Sequence, residues 1–260
     1  MRFGVCGGIS RDQLTMIREA GYDYVEWPLC DVAALSPEEV AALSADTAKA
    51  GIRPEVCNLF FRLPEAALTG ETVDFEGLET YMHRAFGNAK ALGCEITVIG
   101  SGRARFIPEG RDRAEAEAQM ERVLALAAGV GAEYGILVVL EPLRYEETNY
   151  ANTVAEGAAI CRRIGHPNLR LLVDFYHVFM TGEGLDGVMK NGDLLCHAHL
   201  ARSNPDRKMP LSEEDRPALT EWAAALTAAG YSGRLSLEGN YGSDMADTVK
   251  RMREVLRVFE

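Results

Sequence analysis

Along this chain, short and almost continuous apolar runs alternate with longer stretches in which apolar residues return every three or four positions. ITVIG at 96–100, ILVVL at 136–140 and LRLLV at 169–173 are runs of the first kind. A strand with one solvated face would alternate apolar with polar residues. Uninterrupted runs therefore mark strands covered on both faces, as in a parallel sheet. The second kind carries helical period and helical punctuation. Ser36 stands as an N-cap before Pro37 at the first helical position and Gly51 closes the stretch, while Ser10 and Gly21 bracket an earlier one. This reading gives strands over residues 2–7, 22–29, 53–61, 95–100, 136–143, 169–177, 194–201 and 234–239, each followed by a helical stretch. The helix after the sixth strand, residues 185–192, is short.

The only internal period is this strand–helix unit of about 30 residues, and no Pro/Ser-rich linker or change of composition divides the chain. The pattern predicts a single (β/α)8 barrel, one domain over residues 1–260. An open doubly wound sheet is the alternative. Against it, the first strand–helix turn, CGGISRDQ, lacks the GxGxxG phosphate turn of a dinucleotide fold, and eight regular units suit closure better.

A closed barrel changes the meaning of four residues. Glu141, Asp174, His199 and Glu238 stand at or near the ends of the fifth to eighth strands. The C-terminal ends of adjacent barrel strands lie side by side, so these four would converge at the mouth. Three carboxylates brought together there would repel unless a cation neutralised them. Three carboxylates and an imidazole, with no thiolate, suit Mn²⁺, Mg²⁺ or Co²⁺ with coordination positions left open. The plainer reading is of separate polar residues solvated at strand ends.

Composition removes several classes. The 39 acidic against 27 basic residues give a formal charge of -12, which disfavours nucleic-acid backbones as partners. Six cysteines without a CxxC pair argue against a zinc ribbon or a redox motif and for reduced thiols. No apolar run reaches the roughly 18 residues of a membrane span. MRFGVCGGIS opens as a strand rather than as a signal peptide, so a cytoplasmic protein is the expectation.

Other residues are candidates of lesser weight. His197 and His199 share a face of one strand at different heights, so one reaches a metal and His197 is expected to be an interior histidine. Glu26 ends a strand and suits either a hydrogen bond at the mouth or a structural salt bridge; Trp27 is expected to wall the pocket. Asn58 could donate to a ligand hydroxyl or form a turn. The loops GSGRARF (100–106) and RSNPDRK (202–208) suit an anion or a solvated, salt-bridged surface.

With these residues placed, the chain resembles the xylose isomerase-like, or sugar phosphate isomerase/epimerase, superfamily. That group includes ketose 3-epimerases, hydroxypyruvate isomerases, inosose-processing enzymes and endonuclease IV. The Glu, Asp, His, Glu pattern of its epimerase branch is matched at Glu141, Asp174, His199 and Glu238, over essentially the whole barrel. EPLRYEETNYANT resembles a segment in which the ligand Glu is followed six positions later by a substrate-binding Glu, here Glu147. DFYH matches an Asp-x-x-His element that places His177 near the substrate. The chain departs from the family at Arg144 and Tyr145, where many members have Asn and Arg. It departs again at Arg207, the counterpart of a substrate-contacting Arg, which follows His199 by eight positions rather than six or seven.

The resemblance implies one divalent metal ion on those four residues and a small sugar or sugar phosphate as substrate. Glu141 and Glu238 would act as a general acid/base pair, through a metal-stabilised enediolate, giving isomerisation or epimerisation. Glu147, His177, Arg207 and Asn58 would bind substrate. A metal-dependent lyase or dehydratase on the same scaffold and a noncatalytic sugar-binding protein are the alternatives. An endonuclease IV-like enzyme would call for more histidines and a basic face. A homo-oligomer is left open.

Overall fold

The computed structural model describes residues 1–62, 67–202 and 206–260. Eight strands pair in parallel in chain order: β1 (Arg2–Cys6), β2 (Tyr24–Pro28), β3 (Pro54–Asn58), β4 (Ile96–Ile99), β5 (Leu137–Leu140), β6 (Leu169–Asp174), β7 (Leu195–Leu200) and β8 (Arg234–Leu237). β8 pairs with β1, Arg2 opposite Arg234, and closes the barrel. The expected (β/α)8 barrel is the fold.

The pleat divides each strand between two buried environments. On β6, Leu171 and Val173 belong to the core under the helices. Leu172 between them belongs instead to a second buried cluster, with Tyr24, Val56, Ile96, Val98 and Val139, that fills the barrel interior. Gly4 on β1 makes room for this filling, because a Cβ there would stand 2.2 Å from the Tyr24 ring. Counting two residues toward the C-terminal end from interior positions explains the site. Tyr24 leads to Glu26, Val139 to Glu141, Leu172 to Asp174, His197 to His199 and Ser236 to Glu238. All five acidic or imidazole side chains are carried inward, one layer above the apolar filling.

The helices follow the predicted punctuation with instructive differences. Helix α3 (Pro37–Ala50) has a capping box between Ser36 and Glu39 and ends on Gly51 at φ 69°. Ser10 precedes α1 (Arg11–Glu19), yet its side chain makes no capping bond. Two helices were not predicted: α2 (Leu29–Ala34) and α7 (Phe175–Thr181). The run LRLLVDFYH reads as one strand through His177, but Asp174 accepts the Tyr176 N–H at 2.8 Å and turns the chain into α7 at once. The short predicted sixth helix is α8 (Asp186–Lys190). The remaining α-helices are α4 (Phe75–Leu92), α5 (Arg113–Glu133), α6 (Val154–Ile164), α9 (Arg216–Ala228) and α10 (Met245–Val255). Among the described residues no helix is long and apolar enough to cross a membrane.

The N-terminal end of the barrel is closed by ion pairs. Glu55, almost fully buried, accepts from Arg2 at 2.6 Å and from Arg234 at 2.8 Å, and Arg53 lies 3.5 Å away. Glu95 pairs with Arg53 and Arg234 as well. Glu55→Ala removes the shared acceptor and should cost about 1–3 kcal/mol, the scale of unpairing buried polar groups. Urea denaturation measures this. Cation binding, at the opposite end of the barrel, should be unchanged; a loss of cation affinity would contradict the separation of the two ends.

Candidate active site

Each of the four candidate ligands is held by a specific neighbour. Asp174, the last residue of β6, gives one oxygen to the Tyr176 N–H and the other to the Arg207 guanidinium. Glu238, just past β8, accepts from Asn58 Nδ2 at 2.9 Å and from Arg207. His199 on β7 turns Nδ1 toward Glu238, 2.9 Å from Oε2, and toward Glu141, 3.2 Å from Oε1. One ligand atom from each of Glu141, Asp174, His199 and Glu238 lies within 4.8 Å of all the others. Asp174 and His199 are almost completely buried, Glu141 is buried, and Glu238 is the most accessible of the four. A cavity of about 160 Å³ opens above them, lined also by Asn58, Leu59, Leu143, Glu147, His177 and Arg207.

Like charge and burial set the electrostatics. Burial raises the Glu141 carboxyl above its ordinary range, Glu238 adds to the rise, and His199 works against it. Burial would raise Glu238 too, but Arg207 and His199 outweigh it and hold that carboxyl well below the ordinary range. Burial disfavours a charged His199, yet Glu238 and Glu26 reverse this and raise its proton affinity. The guanidinium of Arg207 bridges Asp174 and Glu238 and so offsets two of the three carboxylates.

The other candidates divide. His177 is buried, accepts the backbone N–H of Arg144 on Nδ1 at 3.3 Å, and brings Nε2 to 3.6 Å from Asp174. Glu147 pairs with Arg144 at 2.8 Å at the cavity wall. Arg144 and Arg207 each stand over the Tyr176 ring, at 5.3 and 5.1 Å. Asn58 holds a carboxylate rather than a turn. Trp27 does not wall the cavity: one residue beyond Glu26, it faces the other way and is buried in the core under the helices.

The loop GSGRARF divides: Arg103 is exposed, in keeping with a solvated surface, whereas Arg105 is neither at an anion site nor solvated. It is buried and donates to the carbonyls of Gly100 at 2.7 Å and Glu141 at 2.8 Å, with Tyr150 at 3.4 Å. Burial lowers its guanidinium to about 10. Gly100 itself passes so close to Glu141 that a Cβ would stand 2.2 Å from Oε2. Of RSNPDRK, residues 203–205 lie outside the described residues, while Arg202 pairs with Asp215 at 3.2 Å and Lys208 with Asp206 at 2.6 Å.

The residue that sequence reasoning weighed least is Glu26. Fully buried, it receives His197 Nε2 at 2.9 Å, His199 Nε2 at 3.0 Å and Ser236 Oγ at 2.6 Å. Its position at a strand end was the available signal; its partners on β7 and β8 were not readable from the local sequence.

Comparison with known proteins agrees with this geometry. The sequence profile of the xylose isomerase-like TIM barrel family matches residues 14–260. A putative hydroxypyruvate isomerase of Homo sapiens is 30% identical over 253 residues, 90% of this chain and 85% of the human protein. An L-ribulose 3-epimerase of Methylomonas sp. (strain DH-1) is 26% identical over 245 residues, covering 92% of this chain and 80% of that protein. In fold, the D-allulose 3-epimerase from Methylomonas sp. in complex with D-allulose matches with a TM-score of 0.83 at 21% identity, over 100% of this chain and 97% of that one. The relatives are thus isomerases and epimerases acting on carbohydrates. By the profile match over nearly all its length and by its closed eight-stranded barrel, the chain belongs to the xylose isomerase-like TIM barrel family.

Proposed function

We propose that the chain is a divalent-metal-dependent isomerase or epimerase of small sugars or sugar phosphates, working by proton transfer between carbon atoms. The observation that carries this reading is the convergence of Glu141, Asp174, His199 and Glu238 within 4.8 Å of one another beneath a cavity. The donor set suits a hard or borderline divalent cation: three carboxylates, one imidazole with Nδ1 facing the carboxylates, and no thiolate. Such a cation, when bound, supplies polarisation of the substrate carbonyl, which makes the neighbouring C–H acidic.

The protein's own groups do the rest. Of the three clustered carboxylates, Glu141 and Glu238 line the cavity, and they serve as the acid/base pair that removes a proton and returns one. Return to the opposite face of the same carbon inverts it, and return to the neighbouring carbon shifts the carbonyl. Arg207, Glu147 and His177 line the same cavity and orient substrate oxygens. Pockets for drug-sized ligands run to roughly 300–1,000 Å³. A cavity of about 160 Å³ therefore suits a substrate of few carbons.

The purified protein should bind about one divalent cation per chain and gain turnover with Mn²⁺, Mg²⁺ or Co²⁺. Asp174→Asn and His199→Ala should weaken binding in calorimetry with circular dichroism unchanged. Full turnover after verified metal removal would sink the reading.

Gly100→Ala should displace the Glu141 carboxylate and lower cation affinity by about 10-fold, the scale of disturbing a ligand's support, with little change in Tm. Wild-type affinity in this variant would show that the close approach is of no consequence for the ligand.

Glu141→Gln and Glu238→Gln, with cation still bound, should each cost at least about 10²-fold in kcat. In D₂O the wild-type product should carry deuterium at the reacting carbon. One variant should still exchange deuterium into recovered substrate without forming product, and the other should do neither. Product without solvent deuterium would point to internal hydrogen transfer.

A further inference from the structure

On the other side of the His199 ring from the carboxylate cluster lies a buried polar network that the chemistry above does not use. Its centre is Glu26 on β2, with no exposed surface. A carboxylate withdrawn from water to this degree is costly unless hydrogen bonds replace its hydration. Here three donors do so: His197 Nε2 at 2.9 Å, His199 Nε2 at 3.0 Å and Ser236 Oγ at 2.6 Å. Ser236 is in turn bonded to the Tyr24 hydroxyl at 2.8 Å.

The arrangement has a direction. An imidazole has two nitrogens, and only the one without a proton can be a ligand. His199 presents Nε2 to Glu26 and Nδ1 to Glu141 and Glu238. An Nε2–H bonded to Glu26 leaves Nδ1, the nitrogen that faces Glu141 and Glu238, as the donor atom. The same bond stops the ring from rotating, since a flip would break both contacts.

We propose that Glu26 is a positioning residue for the metal centre: by accepting His199 Nε2–H it fixes the ring and the tautomer in which Nδ1 faces Glu141, Asp174 and Glu238. The assignment rests on the reading of those four residues as a cation site. Cys6 also approaches Glu26 and His199, with ligand atoms within 4.8 Å of one another. In that trio His199 Nε2 and Glu26 are already bonded to each other at 3.0 Å, so it is not a second centre.

The test compares Glu26→Gln, Glu26→Ala and Tyr24→Phe with the wild type, using Mg²⁺ and Mn²⁺ calorimetry, thermal melts, and ¹⁵N NMR of the histidine rings in the Mg²⁺-loaded protein. Glu26→Gln keeps the shape and removes the charge, and Glu26→Ala removes the acceptor. Tyr24→Phe perturbs the same buried layer without touching His199. Expected are a 10–100-fold loss of affinity in Glu26→Gln, the scale of losing an outer partner of a ligand, and a larger loss in Glu26→Ala. Tyr24→Phe should bind as the wild type does, and the wild-type spectrum should show His199 protonated on Nε2 and bare on Nδ1. Wild-type affinity in Glu26→Gln, an equal loss in Tyr24→Phe, or a proton on Nδ1 would overturn the assignment. So would two cations per wild-type chain with one lost in Glu26→Gln, since Glu26 would then be a ligand. No cation binding by the wild type would instead overturn the metal reading of the site, and this assignment with it.

Discussion

Mutual repulsion among Glu141, Asp174 and Glu238 is the constraint around which the upper half of the barrel is arranged. Three carboxylates whose oxygens lie within a few ångströms, two of them almost without solvent, cannot all be ionised unless positive charge or hydrogen-bond donors surround them. The surroundings answer from every side. Arg207 spans Asp174 and Glu238, Asn58 donates to Glu238, the Tyr176 N–H donates to Asp174, and His199 faces two of the three. Glu141 receives the least of this help. It is accordingly the carboxyl that burial pushes up, while Glu238 is held down. Two chemically identical side chains are thus pushed in opposite directions by their surroundings.

Much of this was legible in the sequence, for a reason of geometry. Strand pleating has a period of two, and the residues that cap apolar strands in a closed barrel must meet. Glu141, Asp174, His199 and Glu238 could therefore be placed from spacing before any coordinates, and the family resemblance pointed to the same four. Where the reading ran short, the deciding contact lay far away in the chain. His197 and His199 sit 171 and 173 residues from Glu26, so nothing near YVEWP indicates that its carboxylate is the floor of the site. Arg105 looked like a surface arginine in a glycine-containing loop, and only the path of the chain after β5 supplies the carbonyl that buries it. Helix α7 was hidden by its own composition. FYHVFM is as apolar as a strand, and what ends β6 is one hydrogen bond from the Tyr176 N–H to the Asp174 carboxylate.

The departures from the family pattern acquire a physical meaning. Arg144, where many members have Asn, stacks with Arg207 about the Tyr176 ring and pairs with Glu147. The added positive charge is thereby tied to a wall of the cavity. Arg207 reaches the cluster despite its later position in the loop, with its backbone at φ 48°, a conformation uncommon for a residue with a side chain.

All four candidate ligands belong to the second half of the chain, on or beside β5 to β8. Part of their alignment comes from the first half. Glu26 on β2 orients the imidazole, Asn58 on β3 holds Glu238, and Gly100 and Arg105 after β4 make room for Glu141 and grip its backbone. The barrel is therefore indivisible in a sense that its repeating architecture conceals. A half-barrel of β5 to β8 would carry every donor atom the centre needs and none of the side chains from β2 to β4 that aim them. An ancestry by joining two four-strand halves would have had to complete the setting of the site across the seam, with the candidate ligands, Tyr176 and Arg207 from one parent and Glu26, Asn58 and Arg105 from the other.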